Sequence, residues 1–377
     1  MLKHRGALAL GLACCLGGCA TRPRAGAHAP DWESEEWAAS KAVPTVAPGE
    51  PSAPAPPAPV PAPPLSPAPD HWAAFTETWI PLNRWCQANG LPAPALQRAV
   101  PLPTYALGSS NGVLTLQAGT RVARWNGLDL RLGFAPQTIN AQPFVHFLDL
   151  DKTVRPLLVG LPVNHPVNHG GGDGRPVIVI DPGHGGENAG TRSAIGSHFE
   201  KEFTLDWGRR LQGRLESQGW HVFLTRTSDR DMPISDRVAF AQEHQADLFL
   251  SLHFNSSAPN DSQAGLETYC LTPTGMPSTV TREFEDDPAE VLPNNAFDVQ
   301  NLQLALSVHQ ALLRVNGHRD RGVRRARFLG VLRGQQRPAV LIEGGYLSNP
   351  QEARLIAEPQ YRQKLADAVA QGLGAAN

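Results

Sequence analysis

The chain has 377 residues, enough for about two ordinary domains, and 41% of them are hydrophobic, which is sufficient for a packed core. Its 33 Lys and Arg nearly balance its 35 Asp and Glu, so the composition excludes a broad basic surface, and no nucleic-acid partner is expected. Of the five cysteines, only Cys86 and Cys270 lie outside the N-terminus, and they form no CxxC pair. A cysteine zinc site is therefore disfavoured, and the state of these two thiols stays open.

Residues 1–18 have the features of a signal peptide. A basic start precedes an apolar run from Gly6 to Gly18, which is too short to span a bilayer as a helix of about 20 residues. The run ends in Leu-Gly-Gly-Cys19, which resembles the lipobox of bacterial lipoproteins. This resemblance implies a secreted protein with a lipid anchor on Cys19, and Ala20 implies an outer-membrane position facing the periplasm. The alternative is an ordinary cleaved signal peptide with an incidental cysteine.

A proline-rich linker follows the mature N-terminal tail of residues 19–43. Residues 44–69 contain twelve prolines in twenty-six positions, mixed with alanine. Proline lacks an amide hydrogen and fixes φ, so this stretch favours extended polyproline II at about 3.1 Å per residue. Fully extended, it would reach on the order of 80 Å from the anchor. A disordered linker of no particular length is the alternative.

Residues 70–162 are predicted to form a small helix-plus-sheet accessory domain. Short apolar stretches with glycine turns at 112–116, 122–125 and 128–132 indicate a small sheet. Before them lies an aromatic stripe at helical spacing, which predicts one amphipathic helix. These side chains are expected to pack into the core, and a sugar-binding platform is the alternative. The stripe consists of Trp72, Phe75, Trp79, Leu82 and Trp85. The role of this domain stays open.

A second linker, residues 163–174, is rich in Asn, His and Gly. Its His165 and His169 are expected to be solvated, although a metal-binding role is the alternative. The large domain, residues 175–377, alternates short apolar runs with amphipathic stretches. This alternation predicts an α/β fold with a mostly parallel twisted sheet and helices on both faces. Predicted strands lie at 176–181, 220–226, 246–252, 265–271 and 338–343, and predicted helices at 200–219, 234–244, 297–315 and 354–373.

Chemically active side chains follow three of these predicted strands. His184 comes after the first strand, His253 ends the third, and Glu343 ends the fifth. Each alone has an ordinary explanation, as a structural histidine or a capping carboxylate. Because open α/β sheets place their sites at the carboxyl ends of strands, the three are expected to face one crevice.

Glu200 is the fourth candidate, because it heads the apolar stripe of the first predicted helix. The helix dipole favours an acid there, but an acid on an apolar stripe points to the edge of the core and needs a partner or a cation. Two histidines and one carboxylate, with a further carboxylate nearby, match a catalytic zinc site that leaves its fourth position to water. The further carboxylate, Glu343, would take a proton from that water and pass it to the leaving amine.

The ordered motifs that carry these residues resemble the zinc-dependent N-acetylmuramoyl-L-alanine amidases of the type-3 family. The resemblance covers residue 175 to the C-terminus and includes Thr225-Arg226, Asp229 and Arg237. The main motifs are Asp181-Pro-Gly-His184-Gly-Gly, Glu200-Lys201, Ser251-Leu-His253-Phe-Asn255-Ser, and Pro338-Ala-Val-Leu-Ile-Glu343-Gly-Gly-Tyr-Leu-Ser-Asn349.

This resemblance implies a peptidoglycan hydrolase that cuts the amide between N-acetylmuramic acid and L-alanine, in wall remodelling or daughter-cell separation. It implies one zinc ion per chain on His184, Glu200 and His253, with Glu343 as the catalytic carboxylate. Further candidates for contact with the ligands or the substrate are Asp181, Asn255 and Arg333. Two departures from the family pattern, Glu187-Asn188 and Phe254, border the site and are expected to alter substrate fit.

Two alternatives to the amidase stay open. Another zinc hydrolase of wall peptides, such as a carboxypeptidase, has a site of the same composition, and only the order of the motifs favours the amidase. A noncatalytic wall-binding protein on the same scaffold would be expected to lack a ligand or Glu343. The proline-broken loop from Thr272 to Asn295 is predicted to be a substrate-contacting rim and not a long plug. Whether a protein activator is needed stays open.

Overall fold

The computed structural model describes residues 78–160, 174–280, 286–316 and 319–375. The predicted signal peptide, Cys19, the proline-rich linker and most of the second linker lie outside these residues. No helix among the described residues has the length and apolar character needed to cross a membrane.

The N-terminal segment, residues 78–160, is mainly antiparallel sheet. One short helix, α1 (Leu82–Ala88), follows its first strand, and a helical segment, residues 147–160, follows its last. The strands are β1 (Trp79–Pro81), β2 (Ala95–Arg98), β3 (Thr104–Ser109), β4 (Gly112–Gln117), β5 (Val122–Trp125), β6 (Leu128–Arg131), β7 (Gln137–Ile139) and β8 (Gln142–His146).

The C-terminal domain, residues 174–375, alternates strands and helices as predicted. Its strands are β9 (Val177–Pro182), β10 (His221–Leu224), β11 (Leu248–Asn255), β12 (Leu266–Cys270), β13 (Asp320–Arg325) and β14 (Ala339–Tyr346). Its helices are α2 (Glu200–Glu216), α3 (Ile234–Glu243), α4 (Asp298–Asn316), α5 (Gly330–Arg333), α6 (Pro350–Ala357) and α7 (Pro359–Leu373).

One eleven-stranded sheet runs through both parts, in the order β10-β9-β11-β14-β12-β13-β6-β5-β4-β3-β2. In the C-terminal domain β10, β9, β11 and β14 are parallel neighbours, whereas β12 pairs antiparallel with β14 and β13 pairs parallel with β12, so both run opposite to β14. Strands β6 to β2 pair antiparallel. Strands β1, β8 and β7 form a separate three-stranded sheet.

The central parallel strands are buried on both faces because helices cover both. Every residue of β9, β11 and β14 is buried, which explains why their sequences are nearly continuous apolar runs. Alternate side chains enter two clusters: Ile178 and Ile180 pack with α2, α4 and α7, whereas Val177 and Val179 pack with α3 and α5. The predicted α/β architecture with helices on both faces is confirmed.

The N-terminal segment joins the sheet through β6, which pairs parallel to β13 with Val323 opposite Leu130. The Asp129 N–H donates to Asp320 Oδ2 at 2.9 Å. Gly322 is needed here, because its φ is +89° and a Cβ would lie 2.7 Å from the Asp129 carbonyl oxygen. One apolar cluster also spans both parts.

Three predicted elements differ from the structure. The described part of the aromatic stripe is not one helix, because Trp79 lies in β1 and α1 begins only after Pro81, whose ring is incompatible with a helix interior. Trp72 and Phe75 lie outside the described residues. The predicted C-terminal helix is two helices, because Glu358 precedes Pro359 and is extended, as residues before proline prefer. Strand β13 was not predicted, because four of its six residues are charged and a fifth is Gly322.

Candidate metal centre and active site

The loop after β9 places His184 in a conformation that only a tightly held backbone permits. His184 is buried and has a φ of +62°, in the left-handed region. Gly183 lets the ring of His253 lie directly against the backbone, since a Cβ at this position would be 2.2 Å from His253 Cε1. Any side chain at position 183 would therefore displace His253.

Two buried arginines hold this loop by its carbonyl oxygens. Arg226 Nε donates to Pro182 O at 2.9 Å, and its Nη2 donates to Gly183 O at 2.9 Å. Arg237 Nη2 donates to His184 O at 2.9 Å. The loop geometry is thus fixed by charged hydrogen bonds that water does not reach.

Asp181 anchors Arg237 from the end of β9. Its Oδ1 accepts from Arg237 Nη1 and from Thr225 Oγ1, both at 2.6 Å, and its Oδ2 accepts from Ser251 Oγ at 2.9 Å. Burial alone would raise the pKa of Asp181, but Arg237 and Thr225 hold it below its ordinary value. The predicted candidate Asp181 therefore acts through Arg237 and supports the backbone of the His184 loop.

Glu200 is the first residue of α2 and is fully buried. Its Oε2 accepts from the Thr191 N–H at 3.0 Å, and its Oε1 accepts from the Phe254 N–H at 2.9 Å. These two backbone donors fix the carboxylate plane. Burial would raise the pKa of Glu200, but the two nearby histidines hold it well below its ordinary value.

The structure brings His184, Glu200 and His253 together as a buried group, with one ligand atom from each within 4.8 Å of the others. Glu200 Oε1 lies 3.1 Å from His184 Nε2 and 3.1 Å from His253 Nδ1. This oxygen, which has two lone pairs, thus meets two imidazole nitrogens in addition to the Phe254 N–H. These three residues could therefore hold one metal ion.

Asn188 orients His184. Its Oδ1 lies 2.8 Å from His184 Nδ1 and accepts from the Gly190 N–H at 3.3 Å, which fixes the amide orientation. His184 Nδ1 therefore carries the hydrogen, and the lone pair of Nε2 faces Glu200. The departure from the family pattern at Asn188 keeps a hydrogen-bond acceptor for this imidazole.

Glu343 lies beside this group within β14, three residues before the end of the strand and directly opposite His253 on β11. It is 2% exposed, and among the described residues its Oε2 has no hydrogen-bond partner. Burial, together with the negative charges of Glu200 and Glu267, raises the pKa of Glu343 well above its ordinary value. A buried carboxyl group with an unused oxygen next to a candidate metal site is suited to proton transfer.

Sequence reasoning missed Glu267, which lies opposite Glu343 on β12. Glu267 Oε2 accepts from Tyr269 Oη at 2.5 Å and from Asn255 Nδ2 at 3.1 Å. The predicted candidate Asn255 thus contacts the neighbour of Glu343. The only sequence signal for Glu267 was a lone acid in an otherwise uncharged strand.

Two other predicted residues have different surroundings from those expected. Phe254 is fully buried, and its ring packs on Trp207 with centroids 5.3 Å apart, so it fills the core and does not shape the substrate crevice. Arg333 pairs with Glu290 at 2.7 Å. The structure therefore brings Arg333 to the 272–295 loop and not to the three candidate ligands.

The loop itself lies at the other edge of the sheet. Because β12 is antiparallel to β14, with Tyr269 opposite Leu341, it ends beside the start of β14. At the far end of the loop, Asn294 Nδ2 donates to the Arg337 carbonyl, just before β14 begins. The prediction of a substrate-contacting rim is wrong for the described residues 272–280 and 286–295, because the sequence does not reveal that β12 is reversed.

Comparisons with known proteins point to one family. The family model described as N-acetylmuramoyl-L-alanine amidase matches residues 178–375. N-acetylmuramoyl-L-alanine amidase AmiA of Escherichia coli (strain K12) is 32% identical over 221 residues, 53% of this chain and 75% of that protein. AmiC of Neisseria meningitidis serogroup B is 32% identical over 219 residues, 53% of this chain and 52% of that protein, about half its length. The amidase from Clostridium difficile 630 has a TM-score of 0.45 at 29% identity, covering 53% of this chain and 95% of that one.

Proposed function

The chain belongs to the N-acetylmuramoyl-L-alanine amidase family, and we propose that it hydrolyses the amide between N-acetylmuramic acid and L-alanine in peptidoglycan at a zinc centre. The observation that carries this proposal is the convergence of His184, Glu200 and His253 in one buried group beside Glu343. In the cell, this reaction would serve wall remodelling or daughter-cell separation.

The donor set fits zinc. Two imidazoles and one carboxylate are a ligand set of catalytic zinc sites, and with bonds of about 2.0–2.1 Å, tetrahedral ligands lie about 3.3 Å apart. The two measured separations of 3.1 Å from Glu200 Oε1 are close to that edge length. When bound, zinc lowers the pKa of a coordinated water and polarises the substrate carbonyl.

Glu343 moves the proton. Its raised pKa and unpartnered Oε2 suit a group that accepts a proton from the attacking water and then donates it to the leaving nitrogen. The water oxygen forms the new bond to the carbonyl carbon, the C–N bond breaks, and L-alanine leaves with a free amine. Asp181, Arg226 and Arg237 take no part in these steps but hold the loop that carries His184.

The main alternative is another zinc-dependent wall peptidase with the same ligand set, and a noncatalytic wall-binding protein is the second. The presence of all four residues argues against the second, since a purely binding role needs neither the ligands nor Glu343. The wall peptidase differs from the amidase only in the bond that it cuts.

A digest of purified peptidoglycan with mass analysis of the products tests the proposal. We expect free peptides that begin with L-alanine, beside glycan strands with intact lactyl groups. Chelation should abolish the reaction, and stoichiometric zinc should restore it. His253→Ala should lose the metal and the activity, whereas His244→Ala, at the end of α3, should keep both. Cleavage within the peptide, or full activity of metal-free protein, would contradict the proposal.

We propose that the protein is secreted and carries a lipid on Cys19, which anchors it in the outer membrane. The proline-rich linker would allow the catalytic domain to reach peptidoglycan. The support is the sequence alone: the apolar run, its Leu-Gly-Gly-Cys19 end and the linker that follows. Cys19→Ala should release the protein from the membrane fraction or stop its maturation. Unchanged membrane retention and lipid labelling of this variant would exclude Cys19 as the anchor.

A further inference from the structure

A row of charged side chains leads away from Glu343 across the sheet. Glu267, the neighbour of Glu343 on β12, accepts from Arg321 Nε at 2.6 Å, and Arg324 Nη2 lies 3.5 Å from the same carboxylate oxygen. Both arginines belong to β13, and their side chains are only partly buried, each 17% exposed. Both arginines therefore keep part of their side chains in contact with solvent, two strands away from β14.

The N-terminal segment extends this row with Arg131. Val323 lies opposite Leu130 in the parallel pair of β13 and β6, so the next residues, Arg324 and Arg131, are neighbours on one face of the sheet. Arg131 is half-buried. Among the described residues it forms no ion pair and no side-chain hydrogen bond.

The three arginines outnumber the carboxylates that act on them, Glu267 and Asp129. Glu267 contacts Arg321 and Arg324, whereas Asp129, which also pairs with Arg124 at 2.7 Å, is the nearest source of negative charge for Arg131. Burial and the charges of Arg324 and Arg321 lower the pKa of Arg131 despite the opposing charges of Asp129 and Glu267, whereas Glu267 raises the pKa of Arg321. Like charges held together in this way disfavour the charged state, and an added anion would relieve the repulsion.

We infer that Arg131, Arg321 and Arg324 form a subsite for a free carboxylate of the peptidoglycan stem peptide, so that the N-terminal segment takes part in substrate recognition. This inference rests on the proposed function. The stem peptide carries free carboxylates beyond L-alanine, and planar guanidinium groups bind carboxylates with two parallel hydrogen bonds. The subsite is continuous with the candidate active site through Glu267.

The spacing fits such a ligand. Strand β6 is the third strand from β14, and neighbouring strands lie about 4.8 Å apart, so the two backbones are about 14 Å apart. An extended peptide advances about 3.3–3.6 Å per residue. Arg321 and Arg324 lie one strand nearer and contact Glu267, which pairs with Glu343, so a carboxylate a few residues beyond the scissile bond is within reach of this cluster.

Two synthetic substrates test the inference: a muramoyl peptide with free carboxylates, and the same peptide with those carboxylates amidated. Wild-type protein should prefer the acidic substrate. Arg131→Gln should lower kcat/KM for the acidic substrate by roughly tenfold and leave the amidated substrate nearly unchanged. Arg131→Lys should keep most of the preference. The matched control is Arg98→Gln, which removes the same charge from the exposed strand β2 and should behave as wild type.

The outcomes separate the two proposals. Equal kcat/KM of wild-type protein on both substrates, or an equal loss for Arg131→Gln on both, would overturn the subsite and leave the amidase reaction standing. Failure of wild-type protein to cleave either substrate would overturn the proposed function and the inference with it. Melting temperatures of the three variants show whether a loss of kcat/KM is caused by unfolding. If Arg131→Gln is unfolded, the preference of Arg131→Lys for the acidic over the amidated substrate decides whether the subsite exists.

Discussion

Two aspartate–arginine pairs of almost equal length lie in the two halves of the sheet, and their surroundings differ completely. Asp181 and Arg237 are 2.6 Å apart in the parallel half, with 1% and 4% of their side chains exposed. Asp129 and Arg124 are 2.7 Å apart in the antiparallel half, with 25% and 60% exposed. Distance alone would give both pairs the same weight.

Burial decides what each pair does. Removing one partner of a buried pair leaves an uncompensated charge, which costs about 3–5 kcal/mol, whereas an exposed pair contributes about 0–1 kcal/mol. The parallel half, covered by helices on both faces, can therefore hold charged groups in fixed positions around the candidate metal site. The antiparallel half leaves one face open, and its charges remain available to a ligand.

The largest expected effect is on chemistry in the covered half. Glu343→Gln keeps the shape of the side chain but removes proton transfer, so turnover should fall about 10²–10⁴-fold. The variant should keep its metal and its melting temperature. Turnover, metal content and melting temperature measured on one preparation check this, with Glu243→Gln on the exposed side of α3 as the control.

Two other outcomes would assign Glu343 a different role. Loss of metal together with activity would make it a fourth ligand, and loss of stability with turnover unchanged would make it a structural cap. Either result would contradict the proton-transfer role.

The next largest effect should be on stability in the same half. Asp181→Asn leaves Arg237 buried without its carboxylate, so the free energy of unfolding should fall by about 3–5 kcal/mol in urea denaturation. The pKa of Asp181 is below its ordinary value of 3.8 in the folded protein, so its charge stabilises the fold above that pH. The deficit of the variant should shrink as the pH falls below about 4, and a deficit independent of pH would contradict this account.

The smallest effect should come from the matching change in the open half. Asp129→Asn removes the carboxylate from Arg124, but both groups keep contact with water. The free energy of unfolding should therefore change by less than about 1 kcal/mol, and high salt should remove the difference. A cost as large as that of Asp181→Asn would show that burial does not separate the two halves.

Much of the C-terminal domain could be predicted because its signals are local. The strands that carry His184, His253 and Glu343 are continuous apolar runs, and each polar residue follows such a run directly. Glu200 was found because it heads an apolar stripe at helical spacing. The α/β fold is confirmed, and the structure brings His184, Glu200 and His253 into one buried group with Glu343 beside it, while their roles as ligands and catalyst remain predictions.

The missed features depend on contacts between distant parts of the chain. Glu267 gained significance only because β12 is reversed and lies against β14, and the same reversal moved the 272–295 loop to the other edge. Arg131 and Arg324 are 193 positions apart in the sequence and become neighbours through the pairing of β6 with β13. No periodicity in either segment encodes such a pairing, and β13 is too charged to be recognised as a strand.

The pairing of β6 with β13 also determines where the sheet stops. Without the N-terminal segment, β13 would expose a row of unpaired N–H and C=O groups that could join a strand of another molecule. With the segment in place, the sheet of the described residues ends on β10 and β2, each only four residues long. Edge strands this short offer few groups to a second chain, so the segment also protects a large sheet from aggregation.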